Sequence, residues 1–282
     1  MGIAKISVLG AGTMGHGIAH AAIAGGYATR IYDVSAAAVE TGRAAIESIV
    51  KKGVELGKLS AADADAVLGR LVATSSLGDA LQDADLVIEA SPERIDLKLA
   101  LFAQIEQLAP ARAVIGTNTS ALSVTELAGS LKNPARVAGM HFFNPVHKMK
   151  LIEIVRALES AAATLEAIEE VSRRMGKETV LVRESPGFIT TRVNASIGNE
   201  AFYMLMEGVA SARDIDKALK LGLNHPMGPF ELVDLVGLDT RLSILEYLHR
   251  SLGEKYRPCP MLAQYVKAGR LGRKVGRGVY DY

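Results

Sequence analysis

Residues 8–33 read VLGAGTMGHGIAHAAIAGGYATRIYD: an apolar strand, a glycine turn, a helix and a second strand closed by an acid. Gly10, Gly12 and Gly15 stand in GxGxxG spacing. The first glycine permits a tight turn, the second lets backbone approach a pyrophosphate, and the third lets helix pack on strand. The helix start that follows offers unpaired N–H groups and a dipole that favours an anion. Ile6, Val8 and Leu9 form a short buried strand before the turn, and Met14, Ile18, Ala21 and Ala22 recur at helical spacing after it. Asp33 closes the next strand, Thr29 to Tyr32, where a carboxylate can accept hydrogen bonds from the adenosine ribose. It would repel a 2′-phosphate, and Val34, Ser35 and Ala36 supply no Arg or Lys to receive one. NAD rather than NADP is therefore expected, held by Gly10, Gly12, Thr13, Met14 and Gly15 of the turn and by Asp33.

The chain has 282 residues, 49% hydrophobic and 22% charged, enough for one large core or two smaller ones. Two domains are expected. Net charge is +1 and the one basic cluster is Arg270, Arg273, Lys274 and Arg277, so neither a nucleic-acid footprint nor a polybasic membrane patch is expected. A single cysteine, Cys259, excludes an internal disulfide and a Cys-rich metal site, and suits a reducing cytoplasm. No metal ligand set is expected. The opening MGIAKISVLG runs directly into the first strand, and no apolar run is long enough to span a bilayer.

Strand and helix alternate along the first two thirds of the chain. Residues 36–71 read as a long helical pair, 71–75 as a strand, 83–90 as a buried strand (DADLVIEA), and the following segment as a helix through Ile95, Leu99, Phe102 and Ile105. Strands are expected again over 113–117, 136–142, 150–156 and 179–183, with a helix opening behind Thr119 or Ser120 and another over 163–175. This is a doubly wound sheet of Rossmann type. SPGF at residues 185–188 breaks the pattern, so the boundary is placed there: a dinucleotide-binding domain over 1–184 and an all-α domain over 185–282. In the latter, helical periodicity covers 189–207, 212–221, 230–252 and 261–268.

The least ordinary polar stretch is MHFFNPVHKMKLIEIV, residues 140–155, with His141 at a strand end and Glu153 inside an apolar strand. A buried acid needs a partner. Facing His141, Glu153 would hold one ring nitrogen, fix the tautomer and stabilise the imidazolium, so that the other nitrogen acts as general base. Alcohol oxidation with NAD requires such a base, because hydride leaves for the nicotinamide and a hydroxyl proton remains. His147 competes for the role, although it reads more simply as a loop residue near solvent. Met204, Leu205, Leu219, Leu221, Leu232, Val233 and Leu235 read as helix packing and dimer surface.

The segments GAGTMGHGIA, VIEASPE, TNTSALSVTELA, HFFNPV, KLIEIV, ESPGF, HPMGPFELVDLVGLD and GRLGRKVGRGVYDY, in this order, resemble the 3-hydroxyacyl-CoA dehydrogenase family across essentially the whole chain. Within it, the chain is most similar to the short single-function 3-hydroxybutyryl-CoA dehydrogenases. The resemblance implies that His141 and Glu153 are the catalytic pair, that Ser120 hydrogen-bonds near substrate and nicotinamide, and that Asn144 contacts the cofactor. It also implies NAD contacts from Glu93, Lys98, Asn118 and Lys274, CoA contacts from Ser48 and Lys52, and a homodimer through the C-terminal domain.

One departure concerns PGFITTR, where Thr191 stands in place of the family's Asn before Arg192. A hydroxyl donates one hydrogen bond where an amide has two donors and an acceptor. Thr191 is the first candidate to polarise the thioester carbonyl, ahead of Asn194 three residues on. Without the family context Ser120 reads as a helix N-cap, Lys98 as a solvated helix face and Lys274 as part of a charged tail. Two other readings are carried: a free hydroxyacid dehydrogenase of related architecture using a catalytic lysine, and a nonenzymatic NAD-binding sensor.

Overall fold

The computed structural model describes residues 2–282, which divide into one unit ending at Glu184 and a second over Ser185–Tyr282. In the first unit β1 (Lys5–Leu9), α1 (Thr13–Ala24), β2 (Ala28–Tyr32), α2 (Ala36–Glu55), α3 (Ala61–Leu68) and β3 (Leu71–Thr74) come first. They are followed by α4 (Leu77–Leu81), β4 (Leu86–Glu89), α5 (Ile95–Leu108), β5 (Val114–Thr117), α6 (Val124–Gly129), β6 (Val137–Phe142), β7 (Leu151–Arg156), α7 (Ala162–Arg174) and β8 (Glu178–Arg183). The eight strands form one sheet in the order β3-β2-β1-β4-β5-β6-β7-β8. The chain runs outward from β1 to β3, then crosses back to β4 beside β1. That reversal makes the crevice at the carboxyl ends of β1 and β4 the ligand position of such a sheet.

Central strands are mainly apolar because helices cover both faces. Every residue of β4, β5 and β6 is buried, whereas the edge strands β3 and β8 expose side chains. Ile18, Ile31, Leu86, Ile88, Met140, Ile152, Ile154 and Ile168 belong to one core cluster. The helices α2, α3, α4 and α6 open on Ser35, Ser60, Ser76 and Ser123, each accepting a backbone N–H through its hydroxyl.

The second unit holds α8 (Thr190–Met206), α9 (Ala212–Gly222), α10 (Pro229–Val236), α11 (Leu238–Leu252) and α12 (Pro260–Lys267) around Phe202, Phe230, Leu245, Leu248 and Leu262. Among the described residues its only β pairing is two isolated bridges, Gly272 with Arg277 and Arg277 with Asp281.

The expected doubly wound sheet is present and is mixed, since β6 and β7 run antiparallel as a hairpin while all other neighbours are parallel. Two expectations are corrected. The helix read over 230–252 is broken at Gly237, whose φ of 105° is a conformation that side chains rarely adopt. The helix after β5 opens behind Ser123 rather than Thr119 or Ser120, which a neighbouring carboxylate draws into a loop. The five-residue α4 was too short for periodicity to reveal.

Candidate active site

The glycine turn is as tight as its spacing requires. A Cβ on Gly15 would lie 1.7 Å from the Gly10 carbonyl oxygen, and one on Gly42 of α2 would lie 2.7 Å from the Ala11 oxygen. No side chain caps α1, whose N-cap is Gly12 and whose first turn holds no acid, so its leading N–H groups are left for an anion. Asp33 is turned toward them: one carboxylate oxygen accepts from Ala11 N at 2.9 Å and the other from Ser35 N at 3.2 Å. A cavity of about 600 Å³ lies alongside, lined by Gly12, Met14, Asp33, Val34, Ser91 and Leu97 among others. It offers a polar turn at one side and apolar walls at the other, and no lysine or arginine lines it. Val34 is 83% exposed. These residues fit a bound NAD: amides for the pyrophosphate, an acid for the ribose and an apolar slot for the adenine.

Farther along the same sheet, the β6–β7 hairpin sets His141 directly opposite Glu153. Cross-strand partners share one face of a sheet and lie close enough for side chains to meet. His141 Nδ1 lies 2.7 Å from a Glu153 carboxylate oxygen, with His141 4% and Glu153 0% exposed. A buried carboxylate at that distance accepts a hydrogen bond from Nδ1–H, which leaves the imidazole lone pair on Nε2. The Phe143 ring stands 4.5 Å from the His141 ring, centroid to centroid.

The loop after β5 reaches this hairpin. Asn118 Oδ1 accepts the Phe142 N–H at 2.9 Å, which joins the ends of β5 and β6 next to His141. Glu93 accepts from Thr119 Oγ1 at 2.6 Å and from the Ser120 N–H at 2.7 Å. Glu184 accepts from Ser123 Oγ at 2.6 Å and Thr125 N at 2.7 Å. Two carboxylates thus hold both halves of the loop, while the half-buried Ser120 hydroxyl makes no hydrogen bond among the described residues.

Other candidates are dispersed. Lys98 is no solvated face: it is 1% exposed, and its ammonium lies 2.7 and 2.9 Å from the two carboxylate oxygens of Glu89. Asn144 is exposed and precedes Pro145. Ser48 and Lys52 are exposed on α2, with Lys52 3.0 Å from Glu55. His147 is exposed, beside His20. In the second unit Thr191 and Asn194 are half-buried on α8, and Lys274 is held by both oxygens of Asp239 at 2.6 Å. Sequence reasoning missed Glu89 and Glu184. Glu89 carried the same signal as Glu153, an acid set in an apolar strand run.

A doubly wound sheet with an open glycine turn, an acid at the end of β2 and a buried histidine–carboxylate pair defines a nicotinamide-dependent oxidoreductase. Residues 5–185 match the family model described as "3-hydroxyacyl-CoA dehydrogenase, NAD binding domain", and residues 187–282 match its C-terminal domain. The chain belongs to the 3-hydroxyacyl-CoA dehydrogenase family. It is 44% identical to a probable 3-hydroxybutyryl-CoA dehydrogenase of Bacillus subtilis, covering 100% of this chain and 98% of that protein. It is 43% identical to a 3-hydroxybutyryl-CoA dehydrogenase of Bradyrhizobium diazoefficiens, covering 99% and 96%. Among solved structures it is similar to an (S)-3-hydroxybutyryl-CoA dehydrogenase from Ralstonia eutropha, with TM-score 0.96, 42% identity and coverage of 100% and 99%.

Proposed function

We propose that this protein catalyses the reversible NAD-dependent oxidation of (3S)-3-hydroxybutyryl-CoA to acetoacetyl-CoA, with His141 as the general base and Glu153 as its orienting partner. The observation that supports the reading most is the 2.7 Å contact between the two side chains inside the sheet of an NAD-binding unit. When bound, NAD supplies the acceptor for the hydride that leaves C3. His141 Nε2 takes the hydroxyl proton as the C3–O bond becomes a carbonyl, and Glu153 stabilises the imidazolium so formed. In the reverse direction the imidazolium returns that proton to the carbonyl oxygen. Because the pair is buried, its attraction is screened little by water.

Ser120 is assigned a hydrogen bond to the substrate oxygen beside the nicotinamide, and Asn118 and Asn144 to the cofactor end. Gly10, Gly12, Thr13, Met14 and Gly15 are assigned to the pyrophosphate, and Asp33 to the ribose. Glu93 and Lys274 complete the cofactor contacts in this reading, the buried Lys98 acts on the cofactor side through Glu93, and Ser48 and Lys52 take the CoA moiety. Thr191, with Asn194 behind it, is assigned to the thioester. The helical unit is assigned the subunit contact of a cytoplasmic homodimer; Leu221, Leu223 and Leu235, exposed by 77, 65 and 51%, support this.

The test is NADH oxidation with acetoacetyl-CoA, run beside free acetoacetate and beside NADPH. Turnover confined to the CoA ester with NADH is expected. Equal turnover of the free acid would overturn the substrate assignment.

A further inference from the structure

The last residue of β4, Glu89, is fully buried, and its carboxylate receives five hydrogen bonds. Lys98 Nζ contributes two, at 2.7 and 2.9 Å; Ser91 contributes its N–H and its hydroxyl, each at 2.6 Å; Thr117 Oγ1 contributes one at 2.6 Å. The donors come from the turn after β4, from α5 and from β5, the segments that surround the cofactor end of the sheet. A buried ion pair is a weak stabiliser, because removing two charges from water offsets most of their attraction. Stability alone is therefore a poor reason for one here.

The contacts continue outward. Lys98 Nζ also lies 3.2 Å from the Ser91 carbonyl oxygen and 3.6 Å from the second carboxylate oxygen of Glu93. The first oxygen of Glu93 holds Thr119 Oγ1 and the N–H groups of Ser120 and Ala121, at 2.6, 2.7 and 3.2 Å. Glu93 is 41% exposed at its side chain; the loop holds only its first carboxylate oxygen, and Lys98 stands behind the second. The line Glu89–Lys98–Glu93 runs from the buried sheet to the loop that carries Ser120.

We infer that Glu89 is a positioning residue for cofactor binding: it anchors Lys98, Lys98 orients Glu93, and Glu93 sets the Ser120 loop in the geometry that NADH meets. The inference rests on the assignment of NAD to this unit. It is distinct from a merely structural role, because it requires cofactor affinity to follow the charged line rather than the stability of the fold.

Three variants separate the two: Glu89→Gln, Glu89→Asp and the double variant Glu89→Gln/Lys98→Met, each measured for thermal midpoint and for NADH dissociation constant by fluorescence. Glu89→Gln leaves an ammonium buried against a neutral amide and is expected to lower both stability and affinity. The double variant removes both charges, so its midpoint should recover most of that loss while its NADH dissociation constant stays at least tenfold above wild type. Glu89→Asp keeps the charge but draws Lys98 away from Glu93; it should melt above Glu89→Gln and still bind NADH several-fold more weakly than wild type. Recovery of affinity together with stability in the double variant, with wild-type affinity in Glu89→Asp, would overturn the inference. Failure of the wild-type protein itself to bind NADH would instead sink the cofactor assignment.

Discussion

His141 and Glu153 are twelve residues apart in sequence and face each other across a hairpin. Replacing His141 with Asn removes the proton acceptor and should lower kcat by about 10²–10⁴-fold, while NADH binding, measured by fluorescence, stays within about twofold. Glu153→Gln should lower kcat less, because the imidazole keeps its place but loses the charge that stabilises its protonated form; an unchanged kcat would contradict the pairing. This pair was legible because an acid inside KLIEIV has no ordinary reason to be there. Glu89 in VIEA was no less conspicuous, yet its partner Lys98 sits nine positions away on a helix and its burial depends on how α5 packs. Periodicity marks the apolar stripe of a helix, and a lysine beside that stripe reads as solvated until its neighbours are known.

At the scale of elements, the turn between β1 and α1 leaves no room for a methyl group. Gly15→Ala would press a Cβ onto the Gly10 carbonyl and is expected to cost about 3 kcal/mol or more of stability and to abolish measurable NADH binding; a stable variant with wild-type affinity would contradict the packing. The opposite end of α1 carries an acid-sensitive contact. His20 faces His147 from the loop after β6, with Lys177 and His16 nearby, and its Nδ1 is buried without a hydrogen-bond partner. Burial first, then the charges of His147, Lys177 and His16, push its pKa down to about 4. The folded state binds fewer protons than the unfolded one between the ordinary value near 6.5 and 4. Stability is therefore lost as pH falls through that window, by on the order of 3 kcal/mol in total. His20→Gln should flatten the fall in urea midpoint between pH 7 and pH 4.5, and an unchanged slope would show that His20 is not its source. Element order in the first unit was readable from alternating apolar patterns; strand direction was not. Nothing in KLIEIV distinguishes a hairpin partner from a crossover strand, because both are buried on two faces. The break at Gly237 was hidden for a similar reason, since the apolar spacing runs on through it.

For the molecule as a whole, two units must both fold, and the second is closed by its own tail. Asp234, 1% exposed, accepts the N–H groups of Val279 and Tyr280 at 2.8 and 2.9 Å and the Tyr282 hydroxyl at 3.0 Å. Asp216 accepts the Tyr280 hydroxyl at 2.7 Å and the N–H groups of Phe230 and Glu231. The closing GRLGRKVGRGVYDY, which reads as a charged tail, is thus an internal strap whose acceptors lie about 45 and 64 residues earlier in the chain. Asp234→Ala would leave its buried donors unsatisfied and should destabilise the helical unit by about 2–4 kcal/mol, visible as a lowered midpoint in thermal unfolding. Burial and the neighbouring Asp216 raise the Tyr280 pKa well above its ordinary value of 10. The folded state therefore keeps a proton that the unfolded state releases, and stability declines as pH rises above 10. Tyr280→Phe should remove that alkaline loss, at the cost of one hydrogen bond at neutral pH.

The central claim joins an NAD-binding sheet to a histidine base acting on an acyl-CoA. Its most direct test is acetoacetyl-CoA-dependent NADH oxidation by wild type and His141→Asn side by side, with NADH affinity measured on the same samples. Rapid turnover by the wild type, lost in the variant by about 10²-fold or more at unchanged NADH affinity, is the predicted result. Comparable turnover by both proteins, or none by the wild type despite tight NADH binding, would contradict the account.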